Sequence, residues 1–128
     1  MKKSMKKIAI FLLLLCGPVR AEWTGVGESD AVTSYADPAS IVRDGNHARM
    51  WSLRDHKDFQ RMVEIGYFSQ KSRIEYDCVE SRSRVLGLFL HAKKMGVGKV
   101  IYDDTLPHEW EPVTPDTMSE VLRKFACR

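Results

Sequence analysis

This chain lacks the short motifs that announce an enzyme. It contains no GxSxG elbow, no P-loop and no GxGxxG. A strained-turn serine nucleophile and a glycine-rich phosphate or dinucleotide cradle therefore have no sequence support. It contains no CxxC or CxxCH, which removes the motifs of thioredoxin-like redox proteins and c-type haem attachment. The four histidines, His47, His56, His91 and His108, never fall at HxxxH or CxxC…H spacing, the patterns that gather ligands around one metal. They are expected to be surface or partly buried polar side chains, with no metal, no cofactor and no catalytic residue. Gly25-x-Gly27 and Gly96-x-Gly98 read as turns. The adjacent acids Asp103 and Asp104 would point to opposite faces of a strand and read as a solvated turn rather than a catalytic pair.

Long apolar runs are also scarce. The one that exists, Ile8 to Leu15, follows Lys2, Lys3, Lys6 and Lys7 and ends at Gly17-Pro18, with Val19-Arg20-Ala21 behind it. A positive start, a short apolar run and a small residue at the end make a secretory signal peptide over residues 1–21, cleaved between Ala21 and Glu22. The run is too short to span a bilayer, which takes ~20 residues. Cys16 raises lipoprotein processing as an alternative, but Leu13-Leu14-Leu15 puts bulky side chains where that peptidase favours small ones.

Without the leader, an excess of positive charge is missing too. Five of the 20 lysines and arginines and none of the 17 acids lie in residues 1–21, so residues 22–128 carry 15 bases against 17 acids. Nucleic-acid binding needs a concentrated basic surface and loses its compositional basis. Residues 22–128 are one domain in size, and a domain that small gains from a cross-link. Of three cysteines, setting Cys16 aside leaves Cys78 and Cys127, which in an exported chain read as one disulfide. Closing a loop of about 50 residues stabilises by roughly 4 kcal/mol in the chain-entropy account.

What is present is period-2 alternation, the mark of strands. Strands are expected from Trp23 to Val26, around Ser34-Tyr35-Ala36, over Ser40 to Arg43, and after the Asp44-Gly45-Asn46 hairpin turn from Ala48 to Leu53. The polar stretch Arg54 to Gln60 reads as an interruption. Val63, Ile65 and Tyr67 then share a face, Gln70-Lys71-Ser72 reads as a turn, and Ile74, Tyr76 and Cys78 share a face opposite Arg73, Glu75 and Asp77. Glu80-Ser81-Arg82 turns the chain into Val85 to Ala92, a central strand by its apolarity, with Val100 to Tyr102 last. Thr117-Met118-Ser119-Glu120 is a capping box. Met118, Val121, Leu122 and Phe125 behind it form one apolar helix face. Cys127 lies about 180° from Met118 on that wheel, so the helix should give way near Cys127 for its sulfur to reach the sheet. The expected fold is α+β: about six mostly antiparallel strands in a meander, with a C-terminal helix packed on them.

Trp23, Tyr35-x-Asp37, Ser40-Ile41, Trp51-x-Leu53, Tyr67-x-Ser69, Tyr76-Asp77-Cys78, Met95-Gly96-x-Gly98, Trp110-x-Pro112-Val113, Pro115 and Cys127 follow one another in that order. As a set they resemble the surface-adhesin protein E family of Gram-negative bacteria. The resemblance spans nearly all of residues 22–128. It implies an antiparallel sheet with a C-terminal helix, a disulfide matching Cys78 to Cys127 and a place in the cell envelope. It also implies a non-enzymatic protein that binds host extracellular-matrix or plasma proteins. The missing lipobox leaves a second reading, a soluble periplasmic structural protein with an endogenous envelope partner.

Arg82, Arg84, Lys93, Lys94 and Lys99 cluster in sequence around one hairpin and are candidates for a positive, partner-binding patch; an ordinary charged strand edge is the plainer alternative. Trp23, Trp51 and Trp110 are core candidates, and a half-exposed one would anchor an interface. The two free edges of such a meander also admit a homodimer.

Overall fold

The computed structural model describes residues 22–128. The leader over 1–21, Cys16 and the Ala21 side of the cleavage site lie outside the described residues. The strands, in chain order, are β1 (Thr24–Glu28), β2 (Val32–Ala36), β3 (Val42–Asp44), β4 (His47–Met62), β5 (Ile65–Asp77), β6 (Arg82–His91), β7 (Val100–Asp104) and β8 (Glu111–Pro112); one helix, α1 (Met118–Ala126), follows. Every pairing is antiparallel. The ladder runs β1-β2-β4-β5-β6-β7, with β3 beside β4 and β8 beside β6. The meander reading therefore describes the sheet, and the two short strands are additions to its six-strand path.

Two expected boundaries were wrong. Gln70-Lys71-Ser72 is no turn but the middle of β5, paired with Arg54, Leu53 and Ser52. The turn is at Val63-Glu64, because Met62 pairs with Ile65. The polar stretch Arg54 to Gln60 does not interrupt the strand either. It is part of β4, and the register slips between Asp55 and Gln60. Polar side chains suit β4 there because it runs past the end of its neighbour β2, whose last partner is His56. From Lys57 on it lies outside that neighbour and no apolar alternation is required, while Asp55 and His56, before that point, are bonded by Met95 and Lys94 of the turn after β6.

The helix begins at Thr117, whose side-chain oxygen accepts from the Glu120 amide, while Glu120 Oε1 reaches back to the amide of Asp116. This is the capping box shifted by one residue on its return arm. Leu122 and Ala126 bury against Ala36, Ala48, Met50 and Tyr76. Alanines at the contact let the helix axis approach the sheet. Gly27 opens the same gap at the near end, because a Cβ there would lie 2.3 Å from Met118 Cε. The helix ends at Ala126. Cys127 caps it with ψ near 3° and bonds to Cys78, 49 residues away. Burying each large apolar side chain stabilises by about 1.5–3 kcal/mol. A nine-residue helix would be marginal without that contact.

The opposite face of the sheet is more polar. Trp51 packs on Phe89 at 5.7 Å. The turn after β6 folds back over Leu53 and Ser69: the Met95 amide donates to Asp55 Oδ1 at 2.7 Å and the Gly96 amide to Ser69 Oγ at 2.8 Å. His56 and His91 are buried, at 8% and 4% exposure, deeper than the surface or partly buried placement expected of the histidines. His91 Nδ1 meets the Gly98 carbonyl of that turn at 3.2 Å, the His56 ring stands edge-on to Tyr67 at 5.7 Å, and burial holds both below the ordinary histidine pKa.

Candidate binding surface

The polar face acquires a focus at the β5–β6 hairpin. Antiparallel pairing places His47, Asp77 and Arg82 side by side on β4, β5 and β6, and Arg49, Glu75 and Arg84 side by side two residues away. An acid on β5 thus sits between basic residues on β4 and β6 in each row, the arrangement that favours cross-strand pairs. Arg82 Nε donates to Asp77 Oδ2 at 3.0 Å, and Arg84 Nε to Glu75 Oε1 at 2.8 Å. His47 Nδ1 donates to Glu75 Oε2 at 3.1 Å, and its Nε2 lies 3.6 Å from Asp77 Oδ2.

Asp77 also builds the turn. Its Oδ1 accepts from the amides of Val79 and Glu80 at 3.0 and 2.9 Å, an aspartate side chain closing the loop in place of backbone. The Glu80 amide, then that of Val79, with Arg82 beside them, hold its carboxyl at about 2 against burial. Burial pushes Glu75 upward, but the hydrogen bonds from Arg84 and His47 outweigh it and leave that carboxyl below its ordinary range. Both acids are anionic at neutral pH.

Trp110 covers this cluster. The chain after β7 is pinned on the way: the His108 amide donates to the Val85 carbonyl and the Val113 amide to the Ser81 carbonyl, both at 2.9 Å. Between those anchors the indole lies over two guanidiniums, 4.6 Å from Arg82 Cζ and 4.9 Å from Arg84 Cζ, and 5.2 Å from the His47 ring. Cation–π contacts contribute about 0.5–1 kcal/mol each at an exposed site. They also fix the orientation of all three side chains. Trp110 is half-buried, Arg82 is exposed, and a cleft of about 470 Å³ lined by Glu80, Ser81, Arg82, Trp110, Glu111 and Pro112 opens beside them. The arrangement holds an indole and two cations ready for a partner, on acids that cannot rearrange without breaking the turn.

Of the five basic residues singled out in the sequence, only Arg82 and Arg84 meet here. Lys93, Lys94 and Lys99 lie at the other end of β6, about 30 Å away at ~3.3 Å per strand residue. There Lys94 Nζ donates to the His56 carbonyl at 2.6 Å and sits over Phe68. The five residues are two groups, not one patch.

The two acids and His47 were not anticipated as a site, whereas Trp110 is one of the three tryptophans expected in the core or, if half-exposed, at an interface, and it is half-exposed. One signal was available: Asp77 and Arg82, and Glu75 and Arg84, are placed symmetrically about the Cys78–Ser81 turn. Acid and base must therefore face each other once the hairpin closes. The Trp110 contact had no such signal, because it depends on where a long loop lands. A second cleft, about 410 Å³, lies between the sheet and the first turn of α1, on the opposite face. Among the described residues, no helix is long and apolar enough to cross a membrane.

No curated protein matches this sequence significantly. The sequence profile of surface-adhesin protein E, however, matches residues 23–128, from the residue before β1 to the last residue beyond the disulfide. The antiparallel sheet, the C-terminal helix and the Cys78–Cys127 bond are what the resemblance implied, and the chain belongs to the surface-adhesin protein E family.

Proposed function

We propose that the chain is an exported, non-enzymatic adhesin that binds host extracellular-matrix or plasma proteins through the Trp110 surface. One observation carries this reading: a half-exposed tryptophan is fixed between two arginines, each anchored by a buried carboxylate. Tryptophan and arginine are the side chains most enriched among the residues that dominate interface energies. Here they are ordered before any partner arrives, which lowers the entropic cost of docking. The exposed guanidinium edges favour an acidic segment as the complement. Family membership supports the adhesin reading, and the leader expected over residues 1–21 supports export.

The test is solid-phase binding of purified residues 22–128 to immobilised matrix and plasma proteins. Saturable binding is expected, and Trp110→Ala should weaken it by about tenfold or more while the unfolding midpoint changes little. Binding no stronger than that of an unrelated β domain ends this reading. Equal binding by Trp110→Ala moves the contact elsewhere.

A second reading, a soluble periplasmic protein with an endogenous envelope partner, is favoured by one feature: Leu13-Leu14-Leu15 precede Cys16 where a lipoprotein needs small residues. Protease treatment of intact cells separates the two, because only a surface-displayed chain is digested.

A further inference from the structure

The β4–β5 hairpin is longer than the sheet that supports it. β2 ends its pairing at His56 and β6 ends at Ser69. Beyond them β4 and β5 continue alone, pairing Gln60 with Tyr67, Arg61 with Gly66 and Met62 with Ile65. From Ser69 to Ile65 this two-stranded arm reaches about 13 Å at ~3.3 Å per residue, and its turn lies beyond. No other strand flanks it there, so a ribbon adapted to water alone would be polar on both faces.

It is not. Phe59 and Phe68 pack edge to face at 5.3 Å on one side. Gly66 makes room for the Phe59 ring, since a Cβ there would lie 1.9 Å from Phe59 Cζ. Met62, Ile65 and Tyr67 occupy the other side. Phe59 remains 53% exposed and Val63, at the tip, 86%. Val63 also has φ 56°, a left-handed conformation that is a genuine outlier for a β-branched residue. Glycine or asparagine would sit there without strain. A strained valine so exposed contributes little to its own fold and is a side chain kept for something outside it.

Charge indicates what that is. Arg61 on the arm and Lys93, Lys94 and Lys99 at its root form no ion pair among the described residues, whereas Lys57 is held by Glu28. Asp55 is turned inward to the Met95 amide. Asp58 and Glu64 are the opposing charges on the arm, and with Asp55 counted the cations exceed the anions by one. Lys94 sits over the Phe68 ring, 5.9 Å from its centroid, so apolar and cationic groups are contiguous. An apolar tip with cations set back from it suits an anionic bilayer: interfacial elements bury about 5–10 Å below the surface. An arm of this length then leaves the root lysines within roughly one Debye length, ~8 Å, of the headgroups. Only side chains would enter, because the bare edges of the ribbon keep their backbone groups in the polar zone.

We propose that the tip of the β4–β5 arm inserts into the interface of an anionic phospholipid bilayer, with Phe59 and Val63 as its apolar anchors and Lys93, Lys94 and Lys99 over the headgroups. The test is co-sedimentation of purified residues 22–128 with phosphatidylcholine vesicles, with and without phosphatidylglycerol. Partition into the anionic vesicles is expected, falling steeply with salt. Phe59→Ser and Val63→Asn should each reduce it about tenfold, the transfer of one large apolar side chain. Val63→Asn should at the same time raise the unfolding midpoint, because it removes the strain, so its loss of binding cannot be a loss of fold. Lys93→Glu with Lys99→Glu should erase the preference for phosphatidylglycerol, and Glu64→Gln should increase partition several-fold. Absence of sedimentation with anionic vesicles overturns the proposal. So does equal sedimentation with phosphatidylcholine alone, or wild-type partition by Phe59→Ser and Val63→Asn. Capture of a protein by the arm without lipid partition overturns it as well.

Discussion

Arg123 Nε donates to the backbone carbonyl of Asp77 at 2.8 Å, one residue from the point where Cys78 is bonded to Cys127. The helix is thus fastened to the end of β5 twice, by a covalent bond and by a charged hydrogen bond. The side chain of the same Asp77 carries the hairpin turn and Arg82. The helix on one face and the Trp110 cluster on the other share this residue as their common support.

Removal of the disulfide should therefore cost stability on a loop-closure scale, about 2–4 kcal/mol. Cys127→Ser, or reduction of the wild type, is expected to lower the unfolding midpoint. Arg123→Met should lower it by a smaller amount, about 1–2 kcal/mol for a charged donor to a carbonyl. The two losses should be non-additive, because each fastens the same helix end. A double-mutant cycle by chemical denaturation measures this; strict additivity would show that the two links act on independent parts of the fold. Mass spectrometry of unreduced protein should return Cys78 and Cys127 on one cross-linked peptide.

Helix docking rests on few side chains. Leu122 is buried between the sheet and α1, while Val121, next to it, is 41% exposed. Leu122→Ala should cost about 2–4 kcal/mol through lost transfer and a residual cavity. Val121→Ala should cost under about 0.5 kcal/mol, as surface changes usually do. Thermal unfolding of the pair checks the assignment of faces, and comparable losses would contradict it.

Acid should unfold the protein in two stages. His56 and His91 are held below the ordinary 6.5 by burial. Their folded-state pKa values are depressed, so the unfolded chain binds more protons as pH falls below about 6.5, and stability declines there. Asp77 acts lower down. Its pKa falls from 3.8 unfolded to about 2 folded, so its contribution is complete above about 3.8 and is lost as pH drops toward 2. Unfolding midpoints between pH 8 and 2 should show both limbs. His56→Gln with His91→Gln should flatten the upper one and Asp77→Asn the lower one, at the cost of a lower plateau. An upper limb unchanged in the double histidine variant would assign it to other groups.

How much of this could be read from the sequence depended on the range of the interaction. The capping box at Thr117, the apolar stripe through Leu122 and the pairing of two leftover cysteines are local or countable, and they gave the helix and its staple. Gln70-Lys71-Ser72 misled because polar residues in the middle of a sheet resemble a turn. Here Ser72 faces Ser52 across the strands, and small hydroxyls pack where the helix does not reach. The true turn at Val63-Glu64 hid because it lacks the glycine or asparagine that a positive φ ordinarily demands. The binding surface was half legible. Arg82 and Arg84 drew notice as charges, but Lys93, Lys94 and Lys99 were grouped with them only by sequence proximity, and a ten-residue strand separates the two sets.

Glu75 offers a test of whether order in the Trp110 cluster matters, because it lies beneath the surface. It is buried, receives Arg84 at 2.8 Å and His47 at 3.1 Å, and presents nothing to a partner. Glu75→Gln keeps the shape and one acceptor but removes the charge that fixes the Arg84 guanidinium and orients the His47 ring. Arg84 should then sample more rotamers, each immobilised side chain being worth about 0.5–1.5 kcal/mol on binding. The affinity for an immobilised protein ligand should fall several-fold, through faster dissociation rather than slower association. Arg84→Lys should fall by a similar factor, since a point charge does not stack on the indole as a planar guanidinium does. Surface plasmon resonance on the two variants and on Trp110→Ala checks the order of effects. If Glu75→Gln binds as the wild type while Trp110→Ala does not, the indole alone carries the contact and the ladder beneath it serves the fold.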